Sequence, residues 1–579
     1  MHDQDESPSV SPAIPVQSMS KTRSRAEMHR RLTTLGPGFR RDDTQVSIGR
    51  RDLLRLFTAG GAVALAGFPA LEALAQSRKE TLVIGIDTSD STELDPVRDL
   101  HYTPPMTVSA CYETLMTMAP GDYINLKPAL ATRWARTADG KGWRFNLRDN
   151  VRFVSGNPMT AADVKFSLDR CRFIKFQSSQ YLENVTSVNV VDDKTVDIML
   201  KNPNEPLLNT LAAPSFAITD RKVVEEHGGD ASPDSKAKDK ATDWLNQNSA
   251  GTGPYKLTGW VRNSQIQMVA NPNYWGQKPA FKRIVIRHFE DGAAQLLALR
   301  RGDIDVAFNL LPEQVISLKS DKDIRIAKAI SLDYVYLALT ESPELNKALA
   351  NKFARQAIGY AIDYDGIRDS LLGGAATRPA NFIPIGSLGS TEELTKEIGF
   401  RQDLDRAKKA LAQAGMPEGF EFEVIYGNSM VAGTSYHVMA QKVQADLARI
   451  GIRMKLNPMP QVNVRTLYNG GKMQSVITYW NPPAVENALW GWATVQRVAK
   501  RLHWTPQPSL VKLVDDAAAE PDLKKQADMW KQYQQIMVDE ANLIVLFQPI
   551  YQVGVRNSIK EFPLTAAGWQ ADLSGAKPA

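Results

Sequence analysis

The 579-residue chain carries 69 Lys and Arg against 64 Asp and Glu, a formal net charge of +5, with 43% hydrophobic and 8% aromatic residues. So small an imbalance, with no basic stretch interleaved with base-stacking aromatics, excludes a nucleic-acid binder. The length exceeds what one hydrophobic core can organise, so two or three lobes are expected.

Residues 1–48 are polar, rich in Ser, Arg and Asp, and lack any apolar period, so they read as disordered. Either they form a long leader ahead of an export segment, or translation starts at Met19 or Met28. Gly49-Arg50-Arg51-Asp52-Leu53-Leu54-Arg55 then precedes a mild apolar run over 56–68, diluted by Thr58, Gly60, Gly61 and Gly67. Pro69 and Ala73-Leu74-Ala75 come next. The paired Arg50 and Arg51 before a weak apolar segment and an A-x-A site read as a twin-arginine export signal over 49–75, cleaved near Ala75. A membrane anchor would need roughly 20 apolar residues, and this run is shorter and ends in proline. No cysteine stands after the cleavage site, so no lipid anchor is expected and the product should be periplasmic.

The β-branched run 81–86 reads as the first strand of a buried sheet. Cys111 and Cys171 fall in helical patterns. An oxidising compartment would permit them to pair, but two buried free thiols fit those positions better. Asp139-Gly140 is a hairpin turn before the alternating strand 143–147. Thr160 with Asp163 has capping-box spacing ahead of Val164, Leu168 and Cys171 on one helical face. Strands are expected at 187–191 and 195–200, and a surface loop over 228–248 with one helical turn near Trp244. A strand, a helix and a strand succeed one another over 283–308, and a long helical pattern covers 354–372. A second strand–helix–strand unit covers 420–456, its helix closed by Gly451.

Several spaced blocks follow one another along the chain. They are Tyr112-Glu113-Thr114-Leu115, Leu130-Ala131 with Trp134, Phe145-x-Leu147-Arg148, and Gly156-x-Pro158-x-Thr160-Ala161-x-Asp163-Val164. Then come Gly251-Thr252-Gly253-Pro254-Tyr255, Asn271-Pro272-Asn273-Tyr274-Trp275, Gly302-Asp303-Ile304-Asp305 and Arg355-Gln356-Ala357-Ile358. In this order the chain resembles the peptide/nickel-type solute-binding proteins of ABC importers, over essentially everything after the signal. The resemblance implies an α/β fold of the type II periplasmic binding protein kind, two lobes around a cleft with an extra inserted lobe. It implies a discontinuous lobe I over 77–118, 249–330 and 541–579, an inserted lobe II over 119–248, and a lobe III over 331–540, hinged near Ile330 and Glu540. It also implies a monomeric receptor that closes on a small solute and hands it to an inner-membrane ABC permease, with no enzyme activity and no cofactor.

Residue chemistry agrees with binding over turnover. The chain has no His-Glu-x-x-His, no Gly-x-Ser-x-Gly and no phosphate loop, and its histidines lack metal-ligand spacing. An exported hydrolase or a chaperone on the same scaffold is the competing reading. The aromatic concentration at Tyr479, Trp480, Trp490, Trp492 and Trp504 suits either a ligand wall or a core. By the resemblance, Trp480 lines the cleft and peptide-binding members carry an acid after it for the peptide α-ammonium. Here Asn481 stands at that position, which removes an ion pair and favours an opine-like, sugar or blocked-peptide ligand. Arg378, on a loop that such proteins turn to the cleft, is a candidate grip for a carboxylate. Ser89, in the polar loop after the first strand, is a candidate hydrogen-bonding contact.

Overall fold

Leu543–Arg556 reads LIVLFQPIYQVGVR, an apolar run at each end with Gln548-Pro549 between them. Such β-branched and aromatic runs suit a strand covered on both faces, and this one stands inside a twelve-stranded sheet. The computed structural model describes residues 78–98, 103–203, 207–428, 430–431, 434–480, 485–565 and 571–579, all within the unit Glu72–Ala579. The export signal with Arg50, Arg51 and Ala75, and also Asn481, lie outside the described residues.

The first half of Leu543–Arg556 pairs antiparallel with Tyr334–Leu339, and the second half with Ile324–Ile330. Pro549 sits at the changeover opposite Ala376, a position where the missing N–H is tolerated because the ladder changes partner. Beyond Tyr334–Leu339 come Ser475–Trp480, Glu421–Gly427 and Arg453–Met459. On the other side come Val306–Ala307, Thr81–Ile86, Arg283–His288, Gln265–Ala270 and Tyr255–Val261. The chain crosses between these two halves at Ser331–Asp333 and at Gln548–Pro549. The helix Leu523–Glu540 ends before the second crossing.

Both strand–helix–strand units form as the sequence pattern dictates. Gly292–Arg301 joins Arg283–His288 to Val306–Ala307, each parallel to Thr81–Ile86. Tyr436–Ala448 joins the parallel pair Glu421–Gly427 and Arg453–Met459, and Gly451 turns the chain at φ 83°. The expected long helix over 354–372 is broken instead. Lys352–Ala361 stops because Ile362 is extended, and the Asp363 side chain caps a new turn by accepting from the Gly366 N–H. An apolar period does not reveal such a break, because the cap depends on a single polar side chain.

Residues 131–200 add a separate four-stranded sheet, ordered Ala131–Arg136, Gly142–Leu147, Thr195–Leu200, Val185–Asp192. Its first hairpin turns at Gly140, φ 69°. The covering helix Ala161–Phe173 starts as its sequence requires, with the Thr160 N–H donating to Asp163 Oδ2 at 2.8 Å. Cys111 and Cys171 are both buried free thiols, and burial pushes each up to about 12.

The recurring blocks converge on the junction of the two sheets. Thr252 Oγ1 and Trp275 Nε1 donate to Glu113 Oε2 at 2.8 and 2.7 Å, and the Arg148 guanidinium lies 4.6 Å from the Trp275 ring centroid. Gly251 packs so close to the preceding block that a Cβ there would stand 2.2 Å from the Cys111 carbonyl oxygen. The glycine is needed for that approach, since no side chain fits.

The stretch over 228–248 forms the expected helical turn at Trp244 and adds a second one before it. It holds the short helices Ser235–Lys238 and Thr242–Leu245, and buries Asp239 against the helix Ala161–Phe173. There Arg170, fully buried, donates to Asp95 at 2.8 and 2.6 Å and to Asp239 at 2.7 and 2.9 Å. Burial alone would raise the Asp95 carboxyl. The Arg170 charge and its hydrogen bonds outweigh this and hold it below the usual range. One guanidinium thus ties the first-strand loop, the inserted sheet's helix and the 228–248 stretch together. Arg170→Ala would leave two carboxylates buried without their cation, so it is expected to lower stability by about 3–5 kcal/mol, read from the urea midpoint.

Candidate ligand cleft

In an open α/β sheet the chain leaves each parallel strand at its carboxyl end, and ligands bind in the crevice outside those ends. Thr81–Ile86 runs out into Asp87–Ser91, and Ser475–Trp480 ends at Tyr479 and Trp480. Burial first, then the charges of Asp333 and Asp90, push the Tyr479 hydroxyl up, while Arg465 acts in the opposite sense. Yet Tyr479 remains 42% exposed. The ring is thus accessible while its hydroxyl is desolvated.

Strand alternation sorts the side chains. Val335, Leu337 and Leu339 face the core that contains Tyr436, whereas Tyr334, Tyr336 and Ala338 face the core with Phe382, Trp490 and Trp530. Tyr479 is paired with Val335 and Trp480 with Tyr334, so the two aromatic residues lie on opposite faces at the strand's end. Trp480 packs edge-on against Phe382, ring centroids 5.2 Å apart, and its buried Nε1 has no hydrogen-bond partner.

On the Tyr479 face, Asp333 is buried and its Oδ2 accepts from the Tyr551 hydroxyl at 2.6 Å. Tyr436, at the start of the helix Tyr436–Ala448, is 2% exposed, and among the described residues its hydroxyl has no hydrogen-bond partner. Burial, then Tyr479 and Asp333, push that hydroxyl well above its ordinary value. Sequence reasoning missed Asp333, Tyr436 and Tyr551. Only the position of Asp333 directly before a strand hints at it.

The remaining expected contacts scatter. Ser89 is exposed in the loop, its N–H donating to Asp87 Oδ1 at 2.9 Å. The Arg378 guanidinium lies 3.8 Å from the Tyr364 ring centroid and donates to the Phe400 carbonyl. To grip a ligand carboxylate it would have to leave both. Trp490 is 1% exposed and stands inside the core beside Trp530, with Trp504 in the same cluster. Trp492 donates to Asp515 Oδ1 at 2.8 Å. Most of the aromatic concentration is therefore core, with Tyr479 and Trp480 at its edge. The segment beyond Trp480 also touches the inserted part of the chain. Asn209 Nδ2 donates to the Val485 carbonyl and Arg497 Nη1 to Gln180 Oε1, both at 2.7 Å.

Among the described residues, no three His, Cys, Asp or Glu side chains group as a metal site, and no helix is long and apolar enough to cross a membrane. The large mixed sheet that passes through one shared strand, with the separate inserted sheet, is a type II periplasmic binding protein fold. The chain matches the bacterial extracellular solute-binding proteins, family 5 Middle, over residues 125–498, and belongs to that family. Its members are solute-binding proteins that serve ABC transporters. The chain is 29% identical over 493 residues to the probable D,D-dipeptide-binding periplasmic protein DdpA of Escherichia coli K12, covering 84% of this chain and 91% of DdpA. It is 25% identical over 477 residues to the glutathione-binding protein GsiB of Salmonella paratyphi A, covering 81% and 86%. The solved structure of HbpA2 from Haemophilus parasuis superposes with a TM-score of 0.73 at 24% identity, covering 86% of this chain and all of that one.

Two carboxyl groups in the protein are held near neutrality by burial, Glu113 and Glu486, each pushed up to about 7. Each binds its proton more tightly folded than unfolded, where about 4.3 is usual. The folded state therefore holds more protons between these values, and stability falls as pH rises from about 4.5 to about 7. Urea midpoints are expected to be higher at pH 5 than at pH 8, and the double variant E113Q/E486Q is expected to flatten that slope.

Proposed function

We propose that this chain binds a small, polar, peptide-like solute in the crevice beside Ser331–Asp333 and delivers it to an ABC permease, acting as a monomer without turnover. The observation that carries the reading is the partly open wall of Tyr479 beside the buried, unpartnered Tyr436 hydroxyl. A buried polar group without a partner costs free energy that a bound solute can recover. Closure would pivot on the two crossings between the sheet halves, where few residues need to change conformation. The relatives named for dipeptides and glutathione support a peptide-like ligand. Nothing among the described cleft residues pairs a nucleophile with a base, so the hydrolase reading has no comparable support.

Export by the twin-arginine route, with Arg50 and Arg51 as its signal and cleavage near Ala75, belongs to the same reading. It would deliver the folded protein to the compartment where a permease can receive it.

A thermal-shift panel of dipeptides, glutathione, opines and sugars tests the ligand class. A true ligand at about a hundredfold over its Kd adds about 2.7 kcal/mol, a clear rise in Tm. If only sugars shift the protein, the peptide-like assignment is wrong. For export, R50K/R51K is expected to leave the protein in the cytoplasmic fraction. Unchanged periplasmic recovery would overturn the twin-arginine assignment.

A further inference from the structure

The inserted sheet is tied to the two halves of the large sheet by contacts of unequal kind. To the half that holds Thr81–Ile86 it is joined by buried charge, with Arg170 of its covering helix donating to Asp95 of the first-strand loop. To the half that holds Tyr334–Leu339 and Ser475–Trp480 it is joined by hydrogen bonds to neutral acceptors. Asn209 Nδ2 donates to the Val485 carbonyl and Arg497 Nη1 to Gln180 Oε1, both at 2.7 Å, and Gln180 and Arg497 are exposed. Between Val485 and Arg497 in sequence, the half-buried Leu489 packs against the inserted sheet's core. Breaking the buried ion pair would strand unpaired charges. An exposed hydrogen bond, by contrast, exchanges with water at small net cost.

The helical segment that makes these contacts is irregular at one place. Asn487–Trp492 is α-helical, and Ala493–Val498 continues it as a π-helix. Its inner side is anchored in its own half. Trp490, Val495 and Val498 are buried in the core with Tyr334 and Tyr336, and Asn487 Nδ2 donates to the Leu388 carbonyl at 2.6 Å. In a regular α-helix the step from Leu489 to Arg497 is about 2.2 turns, which would leave Arg497 about 80° round from Leu489. A π turn takes up one residue more. Arg497 therefore returns towards the face of Leu489, and both side chains meet the inserted part of the chain. Burial pushes the Tyr181 hydroxyl there up, and the Arg497 guanidinium acts in the opposite sense. Such turns recur at functional sites, and this one aims a cationic side chain from one half of the molecule at the inserted sheet.

We infer that Val485, Leu489 and Arg497 form a releasable latch by which this half of the large sheet closes on the inserted sheet, with Arg497, aimed by the π turn, as its positioning residue. The inference rests on the solute-binding reading and adds to it the contact that breaks when the protein opens. The inserted sheet moves with the Thr81–Ile86 half, to which buried charge binds it, and docks on the other half only in the closed state. The latch thus sets how long the closed state lasts, and leaves the choice of solute to other residues.

The test uses the mature full-length protein with nitroxide labels at Asn189→Cys on the inserted sheet and Lys512→Cys on the helix Pro508–Ala519, both exposed positions. Cys111 and Cys171 are buried and stay unlabelled. Pulsed electron spin resonance, without added solute, is expected to show a shorter and a longer label separation. Arg497→Ala and Gln180→Ala are each expected to deplete the shorter one about three- to tenfold, the loss of one hydrogen bond. R497A/Q180A is expected to deplete it no further than either alone, since both remove the same contact. The Tm of each variant is expected to stay within about 2 °C of the parent, which separates a latch from a contact that merely stabilises the fold. A single separation in the parent protein, or an unchanged distribution in both single variants, overturns the latch and leaves the receptor reading intact. Losses that add in the double variant overturn the Arg497–Gln180 contact as its basis. If the separations respond as expected while no solute of the thermal-shift panel raises Tm, the latch stands and the peptide-like reading falls.

Discussion

The pairing of one strand with two partners is the constraint on which the rest of the molecule depends. Leu543–Arg556 is paired by Tyr334–Leu339 along its first half and by Ile324–Ile330 along its second. Each sheet half therefore owes an interior strand to the last part of the sequence, and neither can complete its hydrogen-bond ladder from its own segment alone. The apolar run on either side of Gln548-Pro549 is buried twice, once in each half, because it must serve two cores. Among the described residues the backbone passes between the halves at Ser331–Asp333 and at Gln548–Pro549, where Gln548 Nε2 donates to the Ser331 and Ile385 carbonyls.

The inserted sheet is held to this frame by charge as much as by apolar contact. Arg170 satisfies two carboxylates that come from either side of it in sequence, and Glu113 gathers donors from two distant motif blocks. These are costly groups to bury. Their cost is met only when all three segments are in place, so the contacts enforce the correct docking and do not merely add stability. Gly251 belongs to the same logic, since it permits the close approach that brings its neighbour Thr252 to Glu113.

The cleft draws on a different set of residues. Asp333 lies at the crossing between the halves and accepts from the Tyr551 hydroxyl of the shared strand. The side chains that look most like ligand contacts in the sequence, the tryptophans after Trp480, mostly fill a core. Their bulk supports the wall from behind. Tyr436, Tyr479 and Tyr551 come from separate elements; the Tyr436 hydroxyl is buried, the Tyr551 hydroxyl donates to Asp333, and Tyr479 is 42% exposed.

The sequence by itself determined the class of fold and the kind of machine. Spaced motifs such as Tyr112-Glu113, Gly251–Tyr255 and Asn271–Trp275 are legible through their resemblance to a family, while their meeting at Glu113 is a long-range contact. The strand–helix–strand units over 283–308 and 420–456 are legible directly, as apolar period and closing glycines are local signals. Tertiary structure alone decided that Asp333 meets Tyr551 and that Trp490 and Trp504 fill a core. Asp333, Tyr436 and Tyr551 are far apart in the chain and inconspicuous in it. They meet only because the shared strand aligns the two halves, and no local pattern can encode a meeting set by long-range strand pairing.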